Sequence, residues 1–429
     1  MSPGAVILGG ARTPFVRAWG ALGRMPARDL GRIAASEAIA RSTVDPAEID
    51  EVIFGNVAQP ADSANISRAI ALRSNVPRRV PATTVNRSCA SGMQAVVDAA
   101  LRIESGLADV VLAGGVESMS RIPFLFLPET QDLFLKAMRA RTSGARLAAF
   151  LKFRPRHFRP VMALEEGLSD PVAGLSMGET AEVLARRYGI RREEQDRYAL
   201  ESHRRASRAT ASGRLREEIV PVFLPPEYRE TVTDDIGFRS DPDLDALSRL
   251  RPVFDRKSGT VTAGNSSPIT DGAAALVLAS EERAREAGYP VLGRIRSWGF
   301  AGCDPAAMGL GPAYATPVAL KRGGAAFRDV KLLEINEAFA AQVIACERAF
   351  ASREFAAKEL GLPEPIGEID RSVTNVNGGA IALGHPVGST GARLVLTLCL
   401  ELAHRDLDLG LATLCVGGGQ GAAVLIERV

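Results

Sequence analysis

The sequence predicts a layered α/β protein made of two similar halves, and three observations lead there. Glycines punctuate short apolar runs and helix-period segments along the whole chain, the alternation from which sheets with helices on their faces are built. A pattern in residues 83–115 returns in residues 373–419, as expected of two packed copies with a site where their loops meet. The 429 residues, 46% hydrophobic and 24% charged, suit two or three domains with an ordinary core and exclude a mostly disordered chain.

The elements follow in order. Ala5-Val6-Ile7-Leu8 reads as a first strand, with no signal-peptide layout before it. Val52-Ile53-Phe54 reads as a strand before Gly55-Asn56. Residues 83 onward read as strand and short polar loop, then a helix from Ser91 to Glu104. Its apolar positions Met93, Val96, Val97, Ala100, Leu101 and Ile103 are helically spaced, and Gly106 stops it. The run 108–113 is a strand that closes on Gly114-Gly115.

The stretch that begins at Arg121 and ends at Leu164 differs. It holds nine Lys/Arg against two acids, Glu129 and Asp132, interleaved with Phe124, Phe126, Phe134, Phe150 and Phe153. Such a segment is either an amphipathic contact with a membrane surface or partner, or an insertion with a small core and a solvated basic face. Residues 176–208 return to helix. In the second copy, Asn375-Val376-Asn377 reads as the strand and a glycine-rich loop runs through His385. A helix then spans about 390–404, and the strand 411–416 closes on Gly417-Gly418-Gly419.

Composition removes several classes of function. Fifty-two cations against fifty acids leave no field for nucleic acid, and 5% aromatics leave few stacking platforms. No apolar run reaches the roughly 18 residues a membrane span needs. The five cysteines are widely spaced and never form Cys-x-x-Cys, and the four histidines lack metal-ligand spacing. A disulfide framework or metal site is not expected, and a reducing, cytoplasmic setting is. Neither a phosphate-binding loop nor the dinucleotide glycine spacing occurs.

Four positions draw chemical attention. Cys89, in Asn86-Arg87-Ser88-Cys89-Ala90-Ser91-Gly92, stands at a predicted helix start, where the dipole and free N–H groups favour a thiolate and can hold an oxyanion. Elsewhere such a cysteine is a small buried hydrophobe. His385, in Gly384-His385-Pro386, sits on a rigid turn, as general base or as a turn histidine bonded to backbone. Cys415 ends a strand before bare glycines that let backbone N–H groups approach a ligand; alone it reads as a buried strand cysteine. Asn336 opens Asn336-Glu337-Ala338-Phe339, as an N-cap or a water-holding amide. His203 and His404 lie among helical charges and are expected at the surface.

In this order these elements resemble the thiolase family over nearly the whole chain. The matching strings include Gly10-Ala11-Arg12-Thr13-Pro14, Cys89-Ala90-Ser91-Gly92, Gly115-Val116-Glu117-Ser118-Met119 and Gly264-Asn265-Ser266-Ser267. Asp271-Gly272-Ala273-Ala274, Asn336-Glu337-Ala338-Phe339, Gly384-His385-Pro386 and Cys415-Val416-Gly417-Gly418-Gly419 follow. The resemblance implies a thiolase fold of two βαβαβαββ halves in α-β-α-β-α layers. The first half would be 1–283, with a loop domain inserted over about 120–265, and the second 284–429.

It implies Cys89 as acyl-accepting nucleophile, His385 as its base and Cys415 as the acid/base for the acetyl-CoA enolate and CoA. One oxyanion hole would come from His385 and an Asn336-held water, a second from the N–H groups of Cys89 and Gly417. Coenzyme A would be a co-substrate, with no permanent cofactor or metal, contacting Ser267 and Arg239; Met177 and Met308 would line the pantetheine and acyl pocket.

Ser176-Met177-Gly178 stands where short-chain acetoacetyl-CoA thiolases carry His-Met-Gly, and the basic insertion resembles thiolase subunits of the fatty acid β-oxidation complex. The implied reaction is CoA-dependent thiolysis of 3-ketoacyl-CoA. A homodimer or homotetramer, a hydratase/dehydrogenase partner and peripheral membrane contact through residues 121–164 go with it. Subunits of that complex carry His-Glu-Ala-Phe, where this chain has Asn336. A biosynthetic acetoacetyl-CoA thiolase is the alternative; a non-catalytic acyl-CoA or sterol binder stands behind it. Asn336 and Cys415 argue against a ketoacyl-ACP synthase, which uses Cys-His-His.

Overall fold

In the computed structural model, which describes residues 4–239 and 243–429, the first half runs β1 (Ala5–Arg12), α1 (Ala27–Ser42), β2 (Glu51–Gly55), α2 (Ile66–Arg73), β3 (Ala82–Val85), α3 (Ser91–Glu104), β4 (Val110–Ser118) and β5 (Thr270–Ser280). Between β4 and β5 lies the insertion, with α4 (Pro128–Arg139), α5 (Ser143–Phe150), α6 (Met177–Arg187) and α7 (Arg192–Ala211). The second half runs β6 (Gly293–Gly302), α8 (Gly311–Gly323), β7 (Leu332–Ile335), α9 (Ala340–Phe350), α10 (Val387–Arg405), β8 (Leu409–Val416) and β9 (Gln420–Glu427).

The strands form one mixed sheet in the order β7-β8-β9-β6-β1-β5-β4-β2-β3. The halves join where β1 meets β6 antiparallel, Val6 opposite Arg294 and Ile7 opposite Gly293. Strand residues alternate between faces, so both half-sheets are apolar on both sides. Val6, Leu8, Ala273, Ala275 and Val277 pack with α1. Ala274, Leu276, Leu278, Ala412, Leu414 and Val424 face a central core of α3 and α10. Leu411, Ala423 and Leu425 face α8 and α9. The outcome is the expected five-layer α-β-α-β-α stack.

Two sequence readings need correction. β4 does not close on Gly114-Gly115 but continues to Ser118, because the ladder with β5 carries on through both glycines. Asn375-Val376-Asn377 is not a strand. Only Thr374 bridges Leu333, and Asn375 turns to φ +46°. Its side-chain amide does a strand's work instead, accepting from the Ile335 N–H and donating to the Ile335 carbonyl, each at 2.8 Å.

The insertion has a small core of its own. Phe134 packs 5.5 Å from Phe126 and 4.9 Å from Phe153, ring centre to ring centre, over buried Thr130, Ala137 and His157. Around this small core Met138 is 76% and Leu151 73% exposed, with Phe124, Leu147, Phe150 and Phe158 also outside. Among the described residues no helix is long and apolar enough to cross a membrane.

Candidate active site

The site forms where α3 and α10 begin. Gly92 on α3, Gly115 on β4 and Gly388 on α10 meet backbone to backbone. A Cβ on Gly92 would lie 2.8 Å from the Gly388 carbonyl oxygen, and one on Gly115 would collide with it. Only side chains of no size let the two helix starts, and the loops that lead into them, share this point.

The Cys89 loop is a tight turn with Ser88 at φ +42°. Ser91 Oγ accepts from the Arg87 N–H at 2.9 Å and donates to the Ser88 carbonyl at 2.7 Å. No side chain caps α3, and its Ser91 N–H turns back to the Ser88 carbonyl at 3.0 Å. The N–H groups of Gly417 and of Cys89 itself point at the half-buried Cys89 sulfur. Burial pushes this thiol up, more than those two donors lower it.

Cys415 is 2% exposed and pairs with Gly421 across the β8–β9 hairpin, whose turn needs Gly418 and Gly419 at φ +86° and +76°. Burial, then the neighbouring Cys89 sulfur, push its thiol well above the usual range. It is therefore a thiol at neutral pH, able to donate a proton.

His385 is 7% exposed. Its Nδ1 lies 2.7 Å from Thr390 Oγ1, which donates its one proton to the Pro386 carbonyl at 3.1 Å. Nδ1 must therefore carry the hydrogen, and Nε2 presents a lone pair. Burial, with the charge of Arg393 second, lowers the imidazole to about 3, so it is neutral. Asn336 Nδ2 lies 3.5 Å from that Nε2, while the buried Oδ1 has no protein partner. Asn336 is thus no N-cap. Its N–H is held by the Thr413 carbonyl at 3.0 Å, and the amide is turned toward His385.

Cys89, Cys415 and Gly417 therefore form one group, and His385 with Asn336 another. An apolar cluster containing both Cys89 and Val387 links them. Met177 Sδ abuts Gly417. The Ser267 N–H donates to the Ala338 carbonyl at 3.0 Å, holding its segment beside the Asn336 loop. Met308 is 3% exposed, closed into the core with α6 and α9. Arg239 is exposed, and its N–H faces His203 Nδ1 at 3.4 Å. His203 is not at the surface: it is 5% exposed, because this segment folds over α7. Burial, then the charges of Arg239 and Arg17, lower it to about 4. His404 is exposed as expected.

Two carboxylates to which sequence reading gave no role support these loops. Glu337 accepts from Ser202 Oγ at 2.6 Å, Asn375 Nδ2 at 2.9 Å, the Ile381 N–H at 3.2 Å and Tyr198 OH at 3.2 Å. Glu117 joins β4 to the start of α10. Both lie inside strings that the sequence comparison had matched; their roles depend on partners 38 to 271 residues away. Among the described residues no three His, Cys, Asp or Glu are grouped to hold a metal ion.

The family model "Thiolase, N-terminal domain" matches residues 5–282, and "Thiolase, C-terminal domain" matches residues 289–428. A 3-ketoacyl-CoA thiolase of Yersinia pestis (strain Pestoides F) is 43% identical over 423 residues, 98% of this chain and 96% of that protein. Among solved structures, Bacillus anthracis acetyl-CoA acetyltransferase superposes with a TM-score of 0.87 at 40% identity, covering 100% of this chain and 99% of that one. Human mitochondrial 3-ketoacyl-CoA thiolase in complex with CoA gives 0.85 at 37%, covering 100% and 98%.

Proposed function

Since this chain belongs to the thiolase family, we propose that it is a 3-ketoacyl-CoA thiolase (acetyl-CoA C-acyltransferase) of fatty acid β-oxidation. Its halves are taken as 1–283, with the loop domain at about 120–265, and 284–429. The observation that carries the reading is the grouping of two thiols, Cys89 and Cys415, with the Gly417 N–H at the Cys89 sulfur, beside a neutral imidazole whose Nε2 faces Asn336.

Cys89 gives its proton to His385 Nε2 and its sulfur attacks the C3 carbonyl of the 3-ketoacyl-CoA. The oxyanion is held by the N–H groups of Cys89 and Gly417. When it collapses, the C2–C3 bond breaks and its electrons pass to the acetyl-CoA enolate, whose oxygen faces protonated His385 and the Asn336-held water. Cys415 gives its proton to C2, and acetyl-CoA leaves. CoA then returns a proton to Cys415 as its thiolate attacks the acyl-Cys89 thioester. Acyl-CoA departs, and Cys89 recovers its proton from His385. Claisen chemistry of this kind develops charge on two oxygens, so two donor pockets are required.

CoA is the co-substrate, with Ser267, Met177, Met308 and Arg239 as its proposed contacts. Ser176 caps α6 by accepting from the Glu179 N–H at 3.4 Å, while Glu179 accepts from the Ser176 N–H at 2.7 Å. It thus fills a structural position where short-chain enzymes have a histidine. The biosynthetic acetoacetyl-CoA reading keeps support from the Bacillus anthracis likeness. Thiolysis of 3-ketoacyl-CoA substrates from four to sixteen carbons, with Cys89→Ala as blank, separates the two. Turnover rising beyond four carbons is expected, and activity confined to acetoacetyl-CoA would favour the alternative.

The proposal extends to a homodimer or homotetramer, a hydratase/dehydrogenase subunit that supplies the substrate, and membrane contact through residues 121–164. Mass photometry with and without such a subunit tests the first two. Cosedimentation with anionic liposomes tests the third: wild type pellets, and Arg139→Glu/Arg141→Glu/Arg146→Glu does not. Equal pelleting of both would end the membrane reading.

A further inference from the structure

Glu117 is 1% exposed and has no cation among its hydrogen-bond partners. Oε1 accepts from Asn56 Nδ2 at 3.0 Å and the Ala58 N–H at 3.1 Å. Oε2 accepts from the Val57 N–H at 3.0 Å and the Gly388 N–H at 3.1 Å. A carboxylate is the side chain for such a place, since it accepts on both oxygens and donates on neither. Burial raises its pKa to about 7, against the lowering by these donors.

The four donors join both catalytic loops. Gly388 lies three residues beyond His385, at the start of α10. Val57 accepts from Asn86 Nδ2 at 3.2 Å through its carbonyl, and Asn86 belongs to the Cys89 loop. Hydrogen bonds thus join the loop that carries His385, through one buried carboxylate, to the loop that carries Cys89. The charge of Glu117 is also felt at the Cys89 sulfur, where it opposes a thiolate. The groups facing Glu117 from β2, its following loop and α10 are neutral amides. On the paired strand β5, Asp271 is bonded to the Ser120 N–H at 2.9 Å and turned elsewhere.

We propose that Glu117 is a positioning residue for the reaction: it ties the His385 loop to the Cys89 loop. The inference rests on the thiolase reading.

The test is steady-state thiolysis, with folding checked by thermal unfolding. Glu117→Gln sets an amide N–H₂ against two of the donors, so kcat should fall by roughly tenfold to a hundredfold, with KM for CoA held within about threefold. Glu117→Asp keeps both acceptors on a shorter arm, so kcat should fall less while KM stays. Wild-type kcat in folded Glu117→Gln, or a KM for CoA that rises as far as kcat falls, overturns the positioning role. Wild-type kcat in Glu117→Asp overturns it if the Gln variant does not fold. A wild type that turns over no 3-ketoacyl-CoA would sink the enzymatic reading instead.

Discussion

Because the Thr390 hydroxyl fixes the hydrogen of His385 on Nδ1, Thr390→Val frees the ring to take the other tautomer. We expect kcat to fall about tenfold or more, short of the roughly 10²–10⁴ a positioned base contributes, with KM little changed. Asn336→Ala removes the amide beside Nε2 and should cost roughly 100- to 1000-fold in kcat, the usual loss of an oxyanion donor. With its imidazole lowered to about 3, His385, the proposed base, keeps its lone pair down to acid pH. The acid limb of kcat/KM should therefore lie below about pH 5.5, and a limb at the ordinary histidine value of about 6.5 would contradict the buried, neutral ring.

At the scale of elements, the glycine contacts between α3, β4 and α10 decide whether the loops meet. Gly92→Ala sets a methyl 2.8 Å from the Gly388 carbonyl oxygen, a backbone atom that cannot rotate away. Overpacking of this kind costs about 1–3 kcal/mol. Thermal unfolding should register that cost and kcat should fall with it, since the same shift moves Cys89 from His385.

These elements also mark how far the sequence could be read. The α3 boundaries were legible because apolar spacing and a glycine stop agree. That Asn375-Val376-Asn377 is no strand was not, because Asn375 satisfies Ile335 with a side-chain amide, a substitution that leaves no periodic trace. Gly114-Gly115 and Gly417-Gly418 look alike in sequence. One pair continues a ladder and the other turns a hairpin, which depends on the presence of a partner strand beyond. Cys89, Asn336, His385 and Cys415 drew attention from local context and family likeness, and the structure sets Cys415 beside Cys89 and Asn336 beside His385. Glu117, Glu337 and the burial of His203 were not legible, since distant segments create those environments.

At the scale of the molecule, the insertion is bound to the sheet by charge as well as by apolar contact. Arg12, at the end of β1, is fully buried. Its guanidinium meets Glu218 Oε1 at 2.6 Å and Asp235 at 2.6 and 2.8 Å, while Asp235 also accepts from the Phe15 N–H at 2.7 Å. Burial opposes the charge of Arg12, and the two carboxylates outweigh it and raise the guanidinium further. Removing one partner leaves a buried cation without compensation, so Asp235→Ala should lose about 3–5 kcal/mol in urea unfolding. The loss should be nearly independent of salt, because a pair without solvent access is screened little.

The central core has a further consequence for the birth of the protein. Helix α3 and both half-sheets bury their inner faces against α10, and α10 begins roughly 300 residues after α3 starts. At about 5–20 residues per second on the ribosome, that separation is roughly 15–60 s. Over the last part of it, the roughly 100 residues between Ser280 and α10, the first half is complete in sequence but uncovered on its greasiest side, as a nascent chain in a crowded cell. The duplicated architecture thus sets the span of synthesis in which a holdase would have most to do, and a truncated messenger ending before α10 should yield aggregates rather than a half-enzyme.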